Sequence, residues 1–278
     1  TDLIYGVEDR PPFKDALFAA LQHLLAIFVA IITPPLIIAS ALKLDVEKTS
    51  FLVSMSLFAS GVSTFIQCRR IGPIGAKLLC IQGTSFSFIG PIIATGLVGG
   101  LPLIFGSCIA AAPVEMVVSR TFKYLRNIIT PLVSGIVVLL IGLSLIKVGI
   151  VSCGGGYSAM DDGSFGSWEN LSIAALVLLS VLFFNRCKNK YLRMSSIVFG
   201  LCLGYGLAFA LGKVNMSALN VEMLMSFNIP QPFKYGIDFN ISSFIAIGLV
   251  YLITAIEATG DVTANSMISG LPIEGDSY

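Results

Sequence analysis

Charged residues are scarce in this chain. Lys, Arg, Asp and Glu make up 12% of its 278 residues, whereas hydrophobic residues make up 55%. A soluble globular domain has about a quarter of its residues charged, so this composition lies far outside that class. The formal net charge of +1 also provides no basic surface for nucleic acid. We therefore predict an integral membrane protein that binds no nucleic acid.

Metal-binding, disulfide and catalytic patterns are missing as well. The six cysteines have no Cys-x-x-Cys spacing and no histidine near them, so neither a zinc site nor a disulfide framework is predicted. No His cluster, Ser-Lys pair or metal-ligand spacing indicates an enzyme, and we expect neither a metal nor a cofactor. The N-terminal residues are acidic and polar, without the basic region or cleavage site of a signal peptide.

The chain has instead a series of long apolar runs. Helical runs of roughly 17 to 25 residues cross about 30 Å of hydrocarbon, whereas barrel strands would alternate over about ten residues. We predict an all-α polytopic membrane protein with eight spans, at about residues 16–36, 51–67, 77–98, 101–118, 128–147, 171–185, 192–212 and 241–262. Twelve of the seventeen basic residues fall in connections on one side, so the positive-inside rule predicts cytoplasmic ends for this segment.

Polar residues interrupt the first predicted span. Gln22 and His23 precede the sequence Thr33-Pro34-Pro35, which we expect to break the helix because proline lacks a backbone N–H. His23 is either an interior histidine bonded to a neighbouring helix or a proton-linked group beside a site. The sequence leaves both interpretations open.

The third predicted span contains QGTSFSF at residues 82–88, followed by Gly90-Pro91. A continuous helix is unfavourable there, because Gly costs about 1 kcal/mol relative to Ala and proline clashes with the carbonyl four residues earlier. A broken span exposes backbone donors, acceptors and the positive end of a half-helix, which suits a small polar ligand. The alternative is a simple kink filled by Ser and Thr hydroxyls.

Carboxylates occur in two further spans. Glu115 follows Pro113 near the cytoplasmic end of the fourth span, with Arg120 nearby, and we interpret it as structural because a side chain can snorkel at that depth. In the eighth span, spacings of three, four and four residues place four polar side chains on one helix face: Thr254, Glu257, Asp261 and Asn265. The opposite face is expected to carry Ala255, Ile256 and Val262.

Glu257 is predicted to lie inside the membrane. A helix that starts near Ile241 reaches Glu257 after about 24 Å, within the hydrocarbon thickness, with Asp261 close to its edge. An intramembrane carboxylate indicates a substrate, ion or proton site. The alternative is that the helix has already left the membrane and that these side chains are solvated.

Four stretches carry a family resemblance: QHLLAIF at residues 22–28, QGTSFSF at 82–88, ITPLVSG at 129–135 and IEATGDVTANS at 256–266. With them the sequence resembles the nucleobase-ascorbate transporter family, the second of the nucleobase-cation symporter families. It is most similar to the bacterial xanthine and uric acid permeases. The resemblance runs in order through essentially the whole chain.

This resemblance implies a fold of fourteen spans in two inverted repeats of seven, with a core domain and a gate domain. It divides the chain into a cytoplasmic segment (1–13), core spans one to four (14–126), gate spans five to seven (127–212), an external loop (213–240) and core span eight with the start of the next segment (241–278). The third span is expected to be broken by a short extended stretch. Since the chain starts without Met and ends just after the eighth span, it is expected to be the first two-thirds or so of a carrier.

The resemblance also assigns roles to individual residues. Glu257 corresponds to the family's substrate-binding glutamate, and Asp261 to the polar residue that supports the site and proton coupling. Phe88 corresponds to the residue whose backbone contacts the base, and Ser87 to a position that shapes purine preference. The remaining expected site residues are Phe86 as an aromatic surface, and His23, Gln22 and Thr254 as supporting groups.

The implied function is proton-coupled uptake of xanthine or uric acid across the bacterial inner membrane by alternating access, by a homodimer when full length. Family members that carry uracil resemble Glu-His-x-Gly-His, whereas purine carriers resemble the Glu-x-x-Gly-Asp pattern that Glu257 and Asp261 complete here. The alternatives are an anion or uracil carrier of the same architecture, a membrane-embedded enzyme and a truncated, non-transporting subunit.

Overall fold

The chain is helical in the computed structural model, which describes residues 5–6, 9–72, 74–125, 131–188, 192–193, 195–214, 230–231 and 233–270. In chain order the α-helices are α1 (Phe13–Ala41), α2 (Val46–Arg69), α3 (Ile89–Leu125), α4 (Pro131–Cys153), α5 (Gly156–Asp161), α6 (Trp168–Asn185), α7 (Ser196–Ala210) and α8 (Ile241–Ile268). A 3-10 helix, Phe86–Phe88, precedes α3, and the described residues form no β-strand beyond an isolated bridge between Ile71 and Ile74. The predicted all-α class is confirmed.

Five helical segments within the described ranges are long and apolar enough to cross a membrane: α1, α2, Phe86–Thr121, α6 and Ile241–Val262. The shorter apolar helix α7 coincides with the predicted seventh span, and α4 with the predicted fifth. A polytopic membrane protein is therefore confirmed. Parts of four predictions lie outside the described residues: positions 129–130 of the ITPLVSG stretch, the domain boundary at 126/127, most of the 213–240 loop and residues 271–278.

A capping interaction starts α2. The Asp45 side chain accepts a hydrogen bond from Lys48 N at 2.8 Å and another from Lys48 Nζ at 2.6 Å. These bonds occupy a backbone donor that the first turn of a helix leaves free. Hydrogen bonding from the Lys48 side chain is also the main reason that the pKa of Asp45 is lowered.

The predicted third span is broken as expected. Residues 79–85 have no regular secondary structure, and the helix begins only at Phe86–Phe88 and continues as α3. Pro91 therefore stands in the first turn of α3, where a missing N–H leaves no bond unmade. The break lies before this proline, in residues 79–85.

A second interruption separates the third and fourth predicted spans. Gly99 and Gly100 have non-helical backbone angles inside α3, and φ at Gly100 is 65°. A side chain at that φ is strained, so glycine is required for this conformation. The interruption leaves a half-helix of about ten residues before it, about 15 Å long, which is too short to cross the membrane alone.

The expected break at Thr33-Pro34-Pro35 is absent, because α1 continues through both prolines. Neither proline can donate to the carbonyl four residues earlier, namely Ala30 O and Ile31 O. Both carbonyls instead accept from the Thr84 hydroxyl, at 3.1 Å and 3.0 Å. Side chains of neighbouring segments commonly satisfy carbonyls freed by proline inside membranes, and this is why the helix persists.

The chain divides into two compact units, and the first unit contains the broken span. It comprises Thr1–Pro11, Ala30–Leu145 and Pro230–Tyr278, and within it α8 packs along α3. Its centre is fully buried at Ser107, Ala111 and Ile247. Gly106 allows a close approach, since a Cβ there would lie 1.8 Å from Asp238 O.

The second unit comprises Pro12–Val29 and Ile146–Ile229. Within it α6 packs against α7, and Gly200 and Gly204 of α7 lie against Val177 and Val181. Small residues at such positions let membrane helices approach closely. The assignment of residues 14–126 to a core domain and 127–212 to a gate domain remains a prediction.

Candidate functional site

A cavity of about 680 Å³ lies within the first unit. Its walls come from the C-terminal end of α2, the extended stretch 79–85, α3 and the second half of α8. Side chains from all four segments line it, among them Arg70, Ser85, Phe88, Glu115, Glu257 and Asp261. The cavity is thus lined by the two segments that the sequence singles out, the broken span and the acidic face of α8.

Side chains of α2 hold the extended stretch in place. The Ser60 hydroxyl donates to Gln82 O, and Gln82 N donates to Thr64 Oγ1 at 2.9 Å. A backbone segment without helical bonds needs such partners, because an unsatisfied amide inside a membrane costs several kcal/mol. The hydroxyls along α2 therefore permit a non-helical backbone in the middle of the unit.

The half-helix after this stretch starts at the cavity wall. Ser85 has extended backbone angles, and its hydroxyl accepts from Ser87 N at 3.3 Å. Ser85 and Phe88 both line the cavity. The free N–H groups and positive dipole end of a helix N-terminus favour an electron-rich ligand, so this wall can bind carbonyl oxygens.

The Glu257 carboxylate faces this wall from α8. The hydroxyls of Ser85 and Ser87 lie near it. Two buried atoms, Glu257 Oε2 and Ser87 Oγ, have no hydrogen-bond partner among the described residues. Buried polar atoms are nearly always paired in native proteins, and Glu257 Oε2 belongs to a residue that lines the cavity, so this atom is available to a ligand with a matching donor.

Phe88 of the adjacent wall is paired with a second aromatic ring that does not itself line the cavity. The rings of Phe88 and Tyr251 meet edge to face, with centroids 4.9 Å apart and planes at 69°. This is a favourable geometry for two aromatic rings. The Tyr251 hydroxyl donates to Cys108 O at 3.4 Å, which anchors it to α3.

The four polar residues predicted on one face of α8 make different contacts. Thr254 and Asp261 line the cavity with Glu257, but the Thr254 hydroxyl donates to carbonyls of its own helix. Asn265 donates to Leu79 O at 2.9 Å and so connects the helix end to the start of the extended stretch.

Two residues expected on the opposite face, Ala255 and Val262, line the same cavity, so that expectation is wrong. At 100° per residue, Ala255 and Val262 lie beside the Thr254 direction rather than behind it. The cavity therefore also borders the part of the helix surface that Ala255 and Val262 form.

Four predicted site residues are not among those that line this cavity. Ser87 and Phe86 do not line the cavity, although the Ser87 hydroxyl lies near Glu257. Gln22 and His23 belong to the second unit, where Gln22 Nε2 donates to Ser195 Oγ at 3.5 Å and His23 is exposed. Their roles near a site remain predictions.

Sequence reasoning missed several cavity residues. Glu115, interpreted as a structural residue, is half-buried in the cavity wall. Its position inside an apolar segment, Phe86–Thr121, is the signal that could have revealed it. Arg70, which also lines the cavity, had no such signal, because a helix end rich in arginine is common at membrane surfaces. In the described part of the chain no three His, Cys, Asp or Glu side chains come together as metal ligands.

Comparison with known proteins identifies the family of this chain. The profile of the xanthine and uric acid permeases, described as a permease family, matches residues 14–278. The chain belongs to this permease family. The resemblance to nucleobase-ascorbate transporters is thereby confirmed.

The relatives within the permease family are similar along most or all of the chain. Xanthine permease XanQ of Escherichia coli (strain K12) is 47% identical over 287 residues, covering 100% of this chain and 61% of XanQ. Xanthine permease XanP of the same organism is 46% identical, covering 100% of this chain and 62% of XanP. Uric acid permease PucJ of Bacillus subtilis (strain 168) is 34% identical, covering 91% of this chain and 57% of PucJ. The chain thus spans about three-fifths of the length of these permeases, which are transporters rather than enzymes.

Proposed function

We propose that the complete protein takes up a purine nucleobase, xanthine or uric acid, across the bacterial inner membrane. The observation that carries this proposal is the Glu257 carboxylate, which faces the cavity beside Phe88 with a buried oxygen that has no partner among the described residues. An oxopurine offers ring N–H donors to such a carboxylate and a flat face to an aromatic ring. Its carbonyl oxygens suit the N-terminal end of the half-helix at Ser85.

The substrate class is supported by the names of the relatives and by the residues of α8. XanQ and XanP are named xanthine permeases and PucJ a uric acid permease. Glu257 and Asp261 form the Glu-x-x-Gly-Asp pattern that resembles purine carriers. We therefore favour an oxopurine over uracil.

Proton coupling is assigned to the same helix. Glu257 and Asp261 lie one turn apart in one cavity, so that either carboxylate of this pair is placed to take up a proton beside the base. A proton taken up by the pair accompanies the base, and core spans then rock against gate spans to give alternating access. In this proposal the N-terminus is cytoplasmic and the complete protein is a homodimer.

The test is uptake of labelled xanthine and uric acid by cells that express the complete coding sequence. Glu257→Gln is expected to lower uptake about tenfold or more, because it removes a charged hydrogen-bond acceptor. Asp261→Asn is expected to weaken the dependence of uptake on the proton gradient. Glu169→Gln, at an exposed carboxylate that pairs with Lys213, is the matched control and should leave uptake unchanged. Normal uptake by both the Glu257 and the Asp261 variant, at normal amounts of protein in the membrane, contradicts the site.

A further inference from the structure

One contact joins the cavity wall to a distant part of the first unit. The Thr84 hydroxyl donates to Ala30 O at 3.1 Å and to Ile31 O at 3.0 Å. A threonine hydroxyl has a single hydrogen, so it is shared between two carbonyls of α1. Thr84 itself lines the cavity, immediately before the residue that starts the half-helix.

The two acceptors are available for a reason that lies in α1. In an uninterrupted helix, Ala30 O and Ile31 O would accept from the N–H groups of residues 34 and 35. Those residues are Pro34 and Pro35, which have no N–H. The paired prolines thus leave two adjacent carbonyls turned toward a side chain from another segment.

The middle of the stretch is held separately. Ser60 and Thr64 of α2 bind the backbone of Gln82, two residues before Thr84. The extended stretch is therefore fixed on one side to α2 and on the other to α1. Ser85 and Phe88, which line the cavity, follow directly after the second attachment.

We propose that Thr84 is a positioning residue, and that the prolines at 34 and 35 serve to create its acceptors. Through this link α1 sets the place of the half-helix N-terminus and of the Phe88 ring relative to Glu257. This inference rests on the proposed purine site. It adds that a pair of prolines outside the cavity determines how well the cavity binds the base.

The experiment compares affinity across a cycle of variants in the complete protein. Thr84→Val keeps the shape of the side chain and removes the donor, and is expected to raise KM for xanthine about two- to tenfold, the value of one hydrogen bond. Thr84→Ser keeps the donor and should restore KM. The double variant Pro34→Ala, Pro35→Ala restores both N–H groups, which then compete for the carbonyls, so KM should rise without loss of protein from the membrane.

Coupling within the cycle distinguishes positioning from direct contact. If Thr84 acts through α1, then Thr84→Val adds no further rise in KM when both prolines are already alanine, since both changes remove one link. Full additivity, or a normal KM in the proline double variant, overturns the proposal. The matched control is Thr121→Val, which removes a hydroxyl that donates to Val117 O and Val118 O in its own helix and should leave KM unchanged.

A second measurement separates this proposal from the substrate assignment. Amide hydrogen exchange over residues 79–88 of the purified complete protein should be faster in Thr84→Val and in the proline double variant than in the wild type. Faster exchange together with a Glu257→Gln variant that transports normally supports the link and overturns the purine site alone. Unchanged exchange in both variants overturns the link, whatever Glu257→Gln shows.

Discussion

Tyr251 lies outside the cavity but contacts a residue of its wall, Phe88. Its ring supports the Phe88 ring edge to face, and its hydroxyl bonds to a carbonyl of α3. An aromatic pair of this geometry contributes about 0.5 to 1.5 kcal/mol beyond the burial of its area. The orientation of Phe88 therefore depends on a partner that the sequence pattern does not identify.

Substitutions of Tyr251 test whether its ring orients Phe88. Tyr251→Leu is expected to raise KM for the base about two- to tenfold, because Phe88 loses the ring that orients it, whereas Tyr251→Phe keeps the ring and should have the smaller effect. Initial uptake rates over a range of xanthine concentrations give KM and maximal rate separately. Equal KM values for wild type and Tyr251→Leu, at equal amounts of protein, would show that Phe88 needs no such support.

At the scale of helices, glycines determine where α3 can meet the chain that leads into α8. A Cβ at Gly106 would lie 1.8 Å from Asp238 O, while Asp238 N donates to Pro102 O at 3.0 Å. The backbone of this connection therefore rests directly on the helix surface. At Gly248 of α8 the nearest atom to an added Cβ is Val114 Cγ2 at 3.9 Å, an ordinary contact.

These two glycines give a matched pair of variants. Gly106→Ala is expected to destabilise the protein by about 1 to 3 kcal/mol, because the added methyl overlaps backbone atoms that cannot move aside. Gly248→Ala makes the same chemical change without overlap and should be neutral or stabilising, since alanine favours helix by about 1 kcal/mol. Thermal unfolding of the purified protein in detergent measures both. A drop of equal size in the two variants would contradict the packing of this connection on α3.

The broken span illustrates what can be read from local sequence. Gly83, Gly90 and Pro91 predict an interruption, and the structure contains one at the expected place. The same reasoning is wrong for α1, where two prolines leave the helix continuous. The difference is that a partner satisfies the carbonyls of α1, and that partner lies more than fifty residues away in the chain.

At the scale of the whole molecule, orientation in the membrane is still a prediction. Twelve of seventeen basic residues lie in connections assigned to the cytoplasmic side. In a cysteine-free background, a cysteine at the exposed Val46 should react with a membrane-impermeant maleimide in intact cells, and one at Lys188 only after permeabilisation. The reverse labelling pattern would place the N-terminus outside.

The sequence by itself determined the class of this protein, its helices, the presence of an acidic helix face and the presence of a broken span. Those features follow from composition, from helix periodicity and from the backbone limits of glycine and proline, all of which are local properties. Only the tertiary structure decided which groups meet: the Thr84 hydroxyl with the carbonyls of α1, the Tyr251 ring with the Phe88 ring, and Glu115 with the other residues of the cavity wall. Such pairs depend on how helices dock against one another, because a hydroxyl or carboxylate can be satisfied by many partners and only packing selects one.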